Sequence, residues 1–234
     1  MFSVVLRQKS RRGKQSHWWR PPAPGSQRCC TLRDYLSAFR EKTTLDDLMD
    51  LLGKVTDMRV LMIGDTIIDE YQYVEGLGKP SKENIVATLS KGSERFAGGV
   101  IAAANHVADF CAEIEVITTL GTIDSYEELV NDSVRANVKL TVIPCPDIPT
   151  TKKTRFVETA YMRKLFEVYS FDDTPLNADL QSQLNEIISQ KAADFDLVTI
   201  TDFGHGMITA PTIDVLTEKA RFLCINSQTN AGNQ

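Results

Sequence analysis

The stretch Val60-Leu-Met-Ile-Gly-Asp-Thr-Ile-Ile-Asp-Glu-Tyr-Gln-Tyr73 decides the fold. Its first four residues form an unbroken apolar run, the pattern of a strand buried on both faces of a parallel sheet, and the run stops at Gly64-Asp65. Asp65 therefore sits at the C-terminal end of a strand. In open parallel α/β sheets the loops at that edge face a common crevice, where ligands bind. Asp69 follows four residues later, so two carboxylates can face one pocket if the chain turns back there. A carboxylate in this position also serves as a turn cap, and these residues alone leave both roles open for Asp65.

On the N-terminal side, Thr44 can cap a helix that carries Asp46 and Asp47 in its first turn, where the helix dipole favours negative charge. Leu45, Leu48, Met49 and Leu52 make an apolar stripe ended by Gly53, and this stripe is expected to pack on the sheet. Residues 1–31 differ in character. Every charged side chain before Asp34 is basic, Pro21-Pro-Ala-Pro-Gly25 interrupts, and no apolar period is present, so a disordered basic leader is expected over 1–31. An Arg-rich, acid-poor start also suits an organellar transit peptide, but an untargeted tail on a cytoplasmic protein is the favoured reading.

On the C-terminal side, Gln72 to Phe96 alternates polar and apolar residues between glycines, the pattern of a small antiparallel flap. Ala97-Gly98-Gly99 then opens a helix carrying Ile101, Ala104 and Val107. Paired glycines at a helix start let the backbone approach a ligand, and they equally allow close packing of helix on sheet. Strands are expected at Ile114 to Thr119, Lys139 to Ile143, Leu197 to Thr201 and Phe222 to Ile225. Helices are expected after Asp124, Asn177 and Thr209. A hairpin at about 150–170 lies outside this alternation. Strand-helix alternation specifies an α/β fold: a Rossmann-like parallel sheet with helices on both faces, with the two interruptions, about 72–96 and 150–170, forming a small β-sheet lid.

The whole chain has 234 residues, with 26 Lys and Arg against 31 Asp and Glu, a net charge of -5. With the basic start set aside, the body is distinctly acidic, which argues against nucleic acid as a partner. No apolar run reaches the ~18 residues of a membrane span. Five scattered cysteines give neither a disulfide framework nor a metal spacing, which fits a reducing compartment. No P-loop and no Gly-x-Ser-x-Gly elbow occurs. Asp202-Phe-Gly204 spells the magnesium tripeptide of protein kinases without its companion motifs, so no metal ligand is assigned. His205, between Gly204 and Gly206, has a better claim to a ligand than His106 on its helix.

Asp65, Gly98-Gly99, Asp202 and Asn226 all fall at strand ends or helix starts and can border one crevice. Carboxylates and free amides suit a polyhydroxylated ligand, since each carboxylate can accept from two hydroxyls. Lys152, Lys153, Arg155, Arg163 and Lys164 lie on the hairpin, either near a phosphate or on a solvated face.

Four motifs together resemble the PfkB (ribokinase-like) carbohydrate kinases, most of all the heptose-phosphate kinase domain that can be fused to a nucleotidyltransferase. They are Gly64-Asp-Thr-Ile-Ile-Asp-Glu-Tyr71, Phe96-Ala-Gly-Gly99, Thr151-Lys-Lys-Thr-Arg155 and Thr201-Asp-Phe-Gly-His-Gly206. The resemblance implies phosphoryl transfer from ATP, with Mg2+, to a hydroxyl of a sugar or sugar phosphate. It implies substrate-binding roles for Asp65, Asp69, Gly98, Gly99, Asn105, Lys153, Arg155 and Asp202, and a homodimer formed through the lid. Three departures stand out: Asn105 lies further from the glycine pair than is usual, His205 replaces a common lysine, and Asn226-Ser-Gln228 replaces an Asp-Pro-Lys segment. The family's Gly-Ala-Gly-Asp run, which supplies the general base and anion hole, is not met before Gln234. The expectation is therefore an N-terminal portion of a sugar kinase, without a catalytic residue of its own, inactive alone and ending on an unpaired strand edge near Ile225. The alternative is a non-catalytic sugar-binding or regulatory module.

Overall fold

Val60 to Ile63 lie at the centre of the main sheet with almost no exposed surface, as the apolar run requires. The computed structural model describes residues 2–8 and 32–228. In chain order the elements are β1 (Phe2–Gln8), α1 (Leu32–Arg40), α2 (Leu45–Val55), β2 (Arg59–Gly64), β3 (Thr66–Gly78), β4 (Ala87–Gly99), α3 (Val100–Val107) and β5 (Glu113–Ile123). There follow α4 (Glu127–Ser133), β6 (Val138–Pro149), β7 (Lys152–Glu158), β8 (Arg163–Ser170), α5 (Ala178–Lys191), β9 (Leu197–Asp202), α6 (Ala210–Lys219) and β10 (Phe222–Gln228). The main sheet has the order β1-β10-β9-β2-β5-β6, parallel except for β1. The second has the order β4-β3-β7-β8.

Alternate residues of β2 face opposite ways, and each set meets its own helices. Leu61 and Ile63 join Leu184 and Ile188 of α5 and Leu216 of α6 in one core. Val60 and Met62 join Val100, Ile101 and Ala104 of α3 and Val130 of α4 in the other. Helices thus cover both faces, and the expected α/β class holds. Two of the caps read from the sequence form, at Thr44 and Asn177, whereas Gly53, expected to end α2, lies inside it, and the helix expected after Asp124 starts at Glu127 with Tyr126 as its N-cap and no side-chain cap. Thr44 accepts from the Asp47 amide at 3.1 Å while the Asp47 carboxylate takes the Thr44 amide at 2.8 Å, and Asn177 accepts from the Leu180 amide at 3.0 Å.

Two larger expectations fail. Phe2–Gln8, read as part of a disordered leader, pairs antiparallel with β10, with Val5 opposite Ile225. The edge expected to lie bare at Ile225 is therefore covered. The composition of the whole leader masked a short apolar run, Phe2 to Leu6, long enough for one strand. The rest of that leader lies outside the described residues. The stripe of α2 does not pack on the sheet: no residue of the helix is buried, and Leu45, Met49 and Leu51 are more than half exposed. The glycine pair opens a helix as expected, Gly99 being the N-cap of α3, and it also ends β4, since β3 and β4 form one long antiparallel ribbon whose last pairs are Ile67 with Gly98 and Thr66 with Gly99.

Candidate functional site

Asp65 leaves the C-terminal end of β2 into the space between the two sheets. Gly64 before it packs directly against β9, since a Cβ there would lie well inside 3.0 Å of the Thr201 carbonyl and hydroxyl oxygens. The Asp65 carbonyl accepts from the Val100 amide, the first of α3, at 2.9 Å. That approach needs Gly99, with φ +63° and no room for a Cβ beside the Asp65 carbonyl. Gly98 in turn leaves room for the Asp69 carboxylate. Each glycine of the pair therefore makes space for one of the two aspartates.

The Asp65 side chain is only 3% exposed, and its Oδ2 accepts from the Phe203 amide at 2.8 Å. Burial pushes its pKa up to about 6 against the pull of the Phe203 amide and His205, with the nearby Asp202 charge adding to the rise. Asp202 is held by both oxygens, Oδ1 from the Gly204 amide and Oδ2 from the Ser227 hydroxyl, each at 2.9 Å.

A cleft of about 30 Å³ opens beside Asp65, lined by Thr66, Thr119, Thr151, Asp172 and His205 among others. Hydroxyls brace its wall. Thr66 and Thr118 share a hydrogen bond of 2.8 Å, and Thr118 donates to the Gly64 carbonyl at 2.8 Å. Thr150 accepts from the Gly121 amide and donates to the Ser125 carbonyl, both at 3.0 Å. The His205 side chain is 6% exposed and its Nδ1 lies 2.6 Å from Asp173 Oδ1. Its Nε2 is buried without a partner, as are Thr201 Oγ1 and Asn226 Oδ1. Thr201 and Asn226 face each other in register across β9 and β10. Buried polar atoms lacking partners are rare, and these three gather at one edge of the main sheet.

The other residues singled out in the sequence fall elsewhere. Asp69 forms an ion pair with Arg155, whose Nε also lies 3.5 Å from Glu167 Oε1. Lys153 sits opposite Asp69 in register and over the Tyr169 ring at 5.6 Å. This cluster occupies one face of the second sheet and does not line the cleft. Asn105 is committed to the fold: its Nδ2 donates to the Ser133 carbonyl at 2.7 Å and its Oδ1 accepts from the Arg135 amide at 3.1 Å. Asp172, Asp173 and Thr119 carried no signal in sequence, Thr66 and Thr151 lay in quoted motifs without a role of their own, and His205 was marked by its two flanking glycines.

Superposition on known structures settles the architecture. Phosphofructokinase-2 from Escherichia coli in complex with fructose-6-phosphate matches 70% of this chain and 52% of its own, with a TM-score of 0.51 at 16% identity. The chain has the ribokinase-like fold. Arabidopsis thaliana ribokinase complexed with ribose and ATP matches 70% of the chain and 51% of its own length, with a TM-score of 0.44 at 15% identity. In sequence the chain is similar to bifunctional HldE proteins, 26% identical over 182 residues to that of Bradyrhizobium diazoefficiens and 28% identical over 182 residues to that of Hyphomonas neptunium. These matches cover 77% and 76% of this chain, while the chain spans 37% and 36% of those relatives. No family model matches. The resemblance to the ribokinase-like carbohydrate kinases, and among them to HldE, therefore stands. No helix among the described residues is long and apolar enough to cross a membrane.

Proposed function

We propose that this ribokinase-like chain supplies the acceptor side of a phosphoryl-transfer site, binding a sugar or sugar phosphate whose hydroxyls are read at Asp65. One observation carries the reading: a carboxylate almost fully buried at the C-terminal edge of a parallel sheet, its Oδ2 fixed by the Phe203 amide beside a polar cleft. An ionised carboxylate has about four acceptor sites, so backbone bonds leave capacity for ligand hydroxyls. Gly98 and Gly99 hold the two aspartates in place rather than touching the ligand themselves. Arg155 is committed to Asp69 and Glu167, so it stiffens the second sheet, and Lys153 is the residue of that cluster assigned to an anionic end of the ligand.

ATP would supply the phosphoryl group in the complete reaction, as the resemblance to the carbohydrate kinases implies. Among the described residues no group of three or more His, Cys, Asp or Glu is placed to hold a metal ion. The chain's own part is binding and orientation of the acceptor, and it is proposed to be inactive alone. A second reading, a sugar-binding module without catalysis, is favoured by His205, which is bonded to Asp173 where the resemblance leads one to expect a lysine.

Thermal denaturation with and without fructose 6-phosphate and sedoheptulose 7-phosphate, alongside an assay for ADP release, tests both. Sugar-dependent stabilisation that Asp65→Asn abolishes supports the acceptor site. ADP release dependent on sugar overturns both the module and the inactivity of the chain. No stabilisation by either sugar counts against the site.

A further inference from the structure

Among the described residues, His205 is the one cleft-lining side chain with a buried polar atom left unbonded. A carboxylate only accepts hydrogen bonds, so the 2.6 Å contact with Asp173 Oδ1 places a hydrogen on His205 Nδ1. That leaves Nε2 as a bare acceptor in the neutral ring and a bare donor in the charged one, and a hydroxyl group can meet either. The ring is also held from its flank, 5.5 Å from that of Phe171, and by the turn at Gly206, where a Cβ would run inside 3.0 Å of the Thr174 carbonyl. Its direction is therefore set by the protein before anything binds. Around it the cleft presents further acceptors, the carboxylates of Asp65 and Asp172, and among the described residues no lysine or arginine lines it. A phosphate would meet like charge here, whereas hydroxyl groups would meet partners.

We propose that the Asp173–His205 pair is a hydroxyl-reading element: His205 Nε2 shares a hydrogen bond with a ligand hydroxyl in the Asp65 cleft, so the cleft takes an uncharged polyol face and not a phosphate. The inference rests on the acceptor-site reading and adds a specificity residue to it. His205 acts by contact, and Asp173 is a positioning residue that fixes the tautomer.

The test uses the full chain with fructose, fructose 6-phosphate, sedoheptulose 7-phosphate and inorganic phosphate as probes, titrated by calorimetry and by 15N NMR of the imidazoles. The expected result is that a sugar shifts the His205 Nε2 resonance and inorganic phosphate does not. His205→Phe then weakens sugar binding about tenfold, the worth of one hydrogen bond to a buried acceptor. Asp173→Asn weakens binding and moves the resonance toward the other tautomer. If a sugar binds, Asp65→Asn weakens it, and the resonance stays still, this inference falls while the acceptor site survives. If no sugar binds the wild-type chain, the acceptor site itself falls and takes this inference with it. The resonance is read on the wild-type protein, so the test does not depend on the variants folding.

Discussion

The Phe203 amide donates to Asp65 Oδ2 at 2.8 Å, joining the end of β2 to the loop after β9 across 138 residues of chain. This bond fixes a carboxylate whose charge is costly where it lies. The folded state raises the Asp65 pKa from 3.8 to about 6, so it binds the proton more tightly than the unfolded chain does. Stability attributable to Asp65 is therefore highest at low pH, falls as pH rises between those values, and stays lower above them. Asp65→Asn keeps an acceptor for Phe203 and removes the charge. It should raise stability at pH 7 to 8 by about 2 kcal/mol, with the gain vanishing near pH 4. Urea midpoints across that range check it, and the same variant should lose sugar binding.

Gly64 and Gly53 make opposite predictions for the same substitution. Gly64→Ala drives a methyl into the Thr201 backbone, where β2 and β9 cannot separate without breaking the sheet. A cost of about 3 kcal/mol is expected, with collapse of the Asp65 site. Gly53 sits within α2 with nothing near its missing Cβ. Gly53→Ala should stabilise the protein by about 0.5 kcal/mol through helix propensity. Paired thermal melts decide both.

How far the sequence revealed these features depended on the range of the interaction. The β2 run, the Thr44 and Asn177 caps and the alternation of strands and helices are local patterns, and each maps onto the structure. Asp65 was legible because a strand end is a sequence feature. Asp173 was not, because it reaches His205 across 32 residues through a loop with no periodicity. Asn105 was read from the resemblance, although it lies further from the glycine pair than is usual, and its amide bonds Ser133 and Arg135, which only the packing of α3 beside α4 brings near. The α2 stripe has the period of a buried helix, but period alone does not supply the surface that would cover it.

Glu70 offers a carboxylate with the reverse pH behaviour of Asp65. Burial alone would raise its pKa, but hydrogen bonds from Arg95 at 2.6 Å and Thr154 at 2.8 Å, with Lys152 at 3.9 Å, hold it below its ordinary value. Its stabilisation is therefore present above the ordinary carboxylate range and is lost as pH falls through the depressed value. Glu70→Gln should destabilise the protein at pH 7 by about 1 to 2 kcal/mol and flatten the acid limb of its stability profile. Denaturant titrations from pH 3 to pH 7 distinguish this from Asp65→Asn, whose effect has the opposite sign.

Asn105 separates a structural role from a binding one. Both ends of its amide bridge α3 to the chain leaving α4, and neither the residue nor its partners line the cleft. Removing the amide leaves the Arg135 amide nitrogen and the Ser133 carbonyl to find water, at a cost of about 1 to 2 kcal/mol. Asn105→Ala should accordingly lower the melting temperature while leaving sugar affinity unchanged within twofold. A variant that melted as wild type but bound sugar tenfold more weakly would return Asn105 to the ligand. Because α3 also delivers the Val100 amide to the Asp65 carbonyl, a loosened helix could reach the site indirectly. Affinity should therefore be measured well below the melting transition, where only a direct contact would still register.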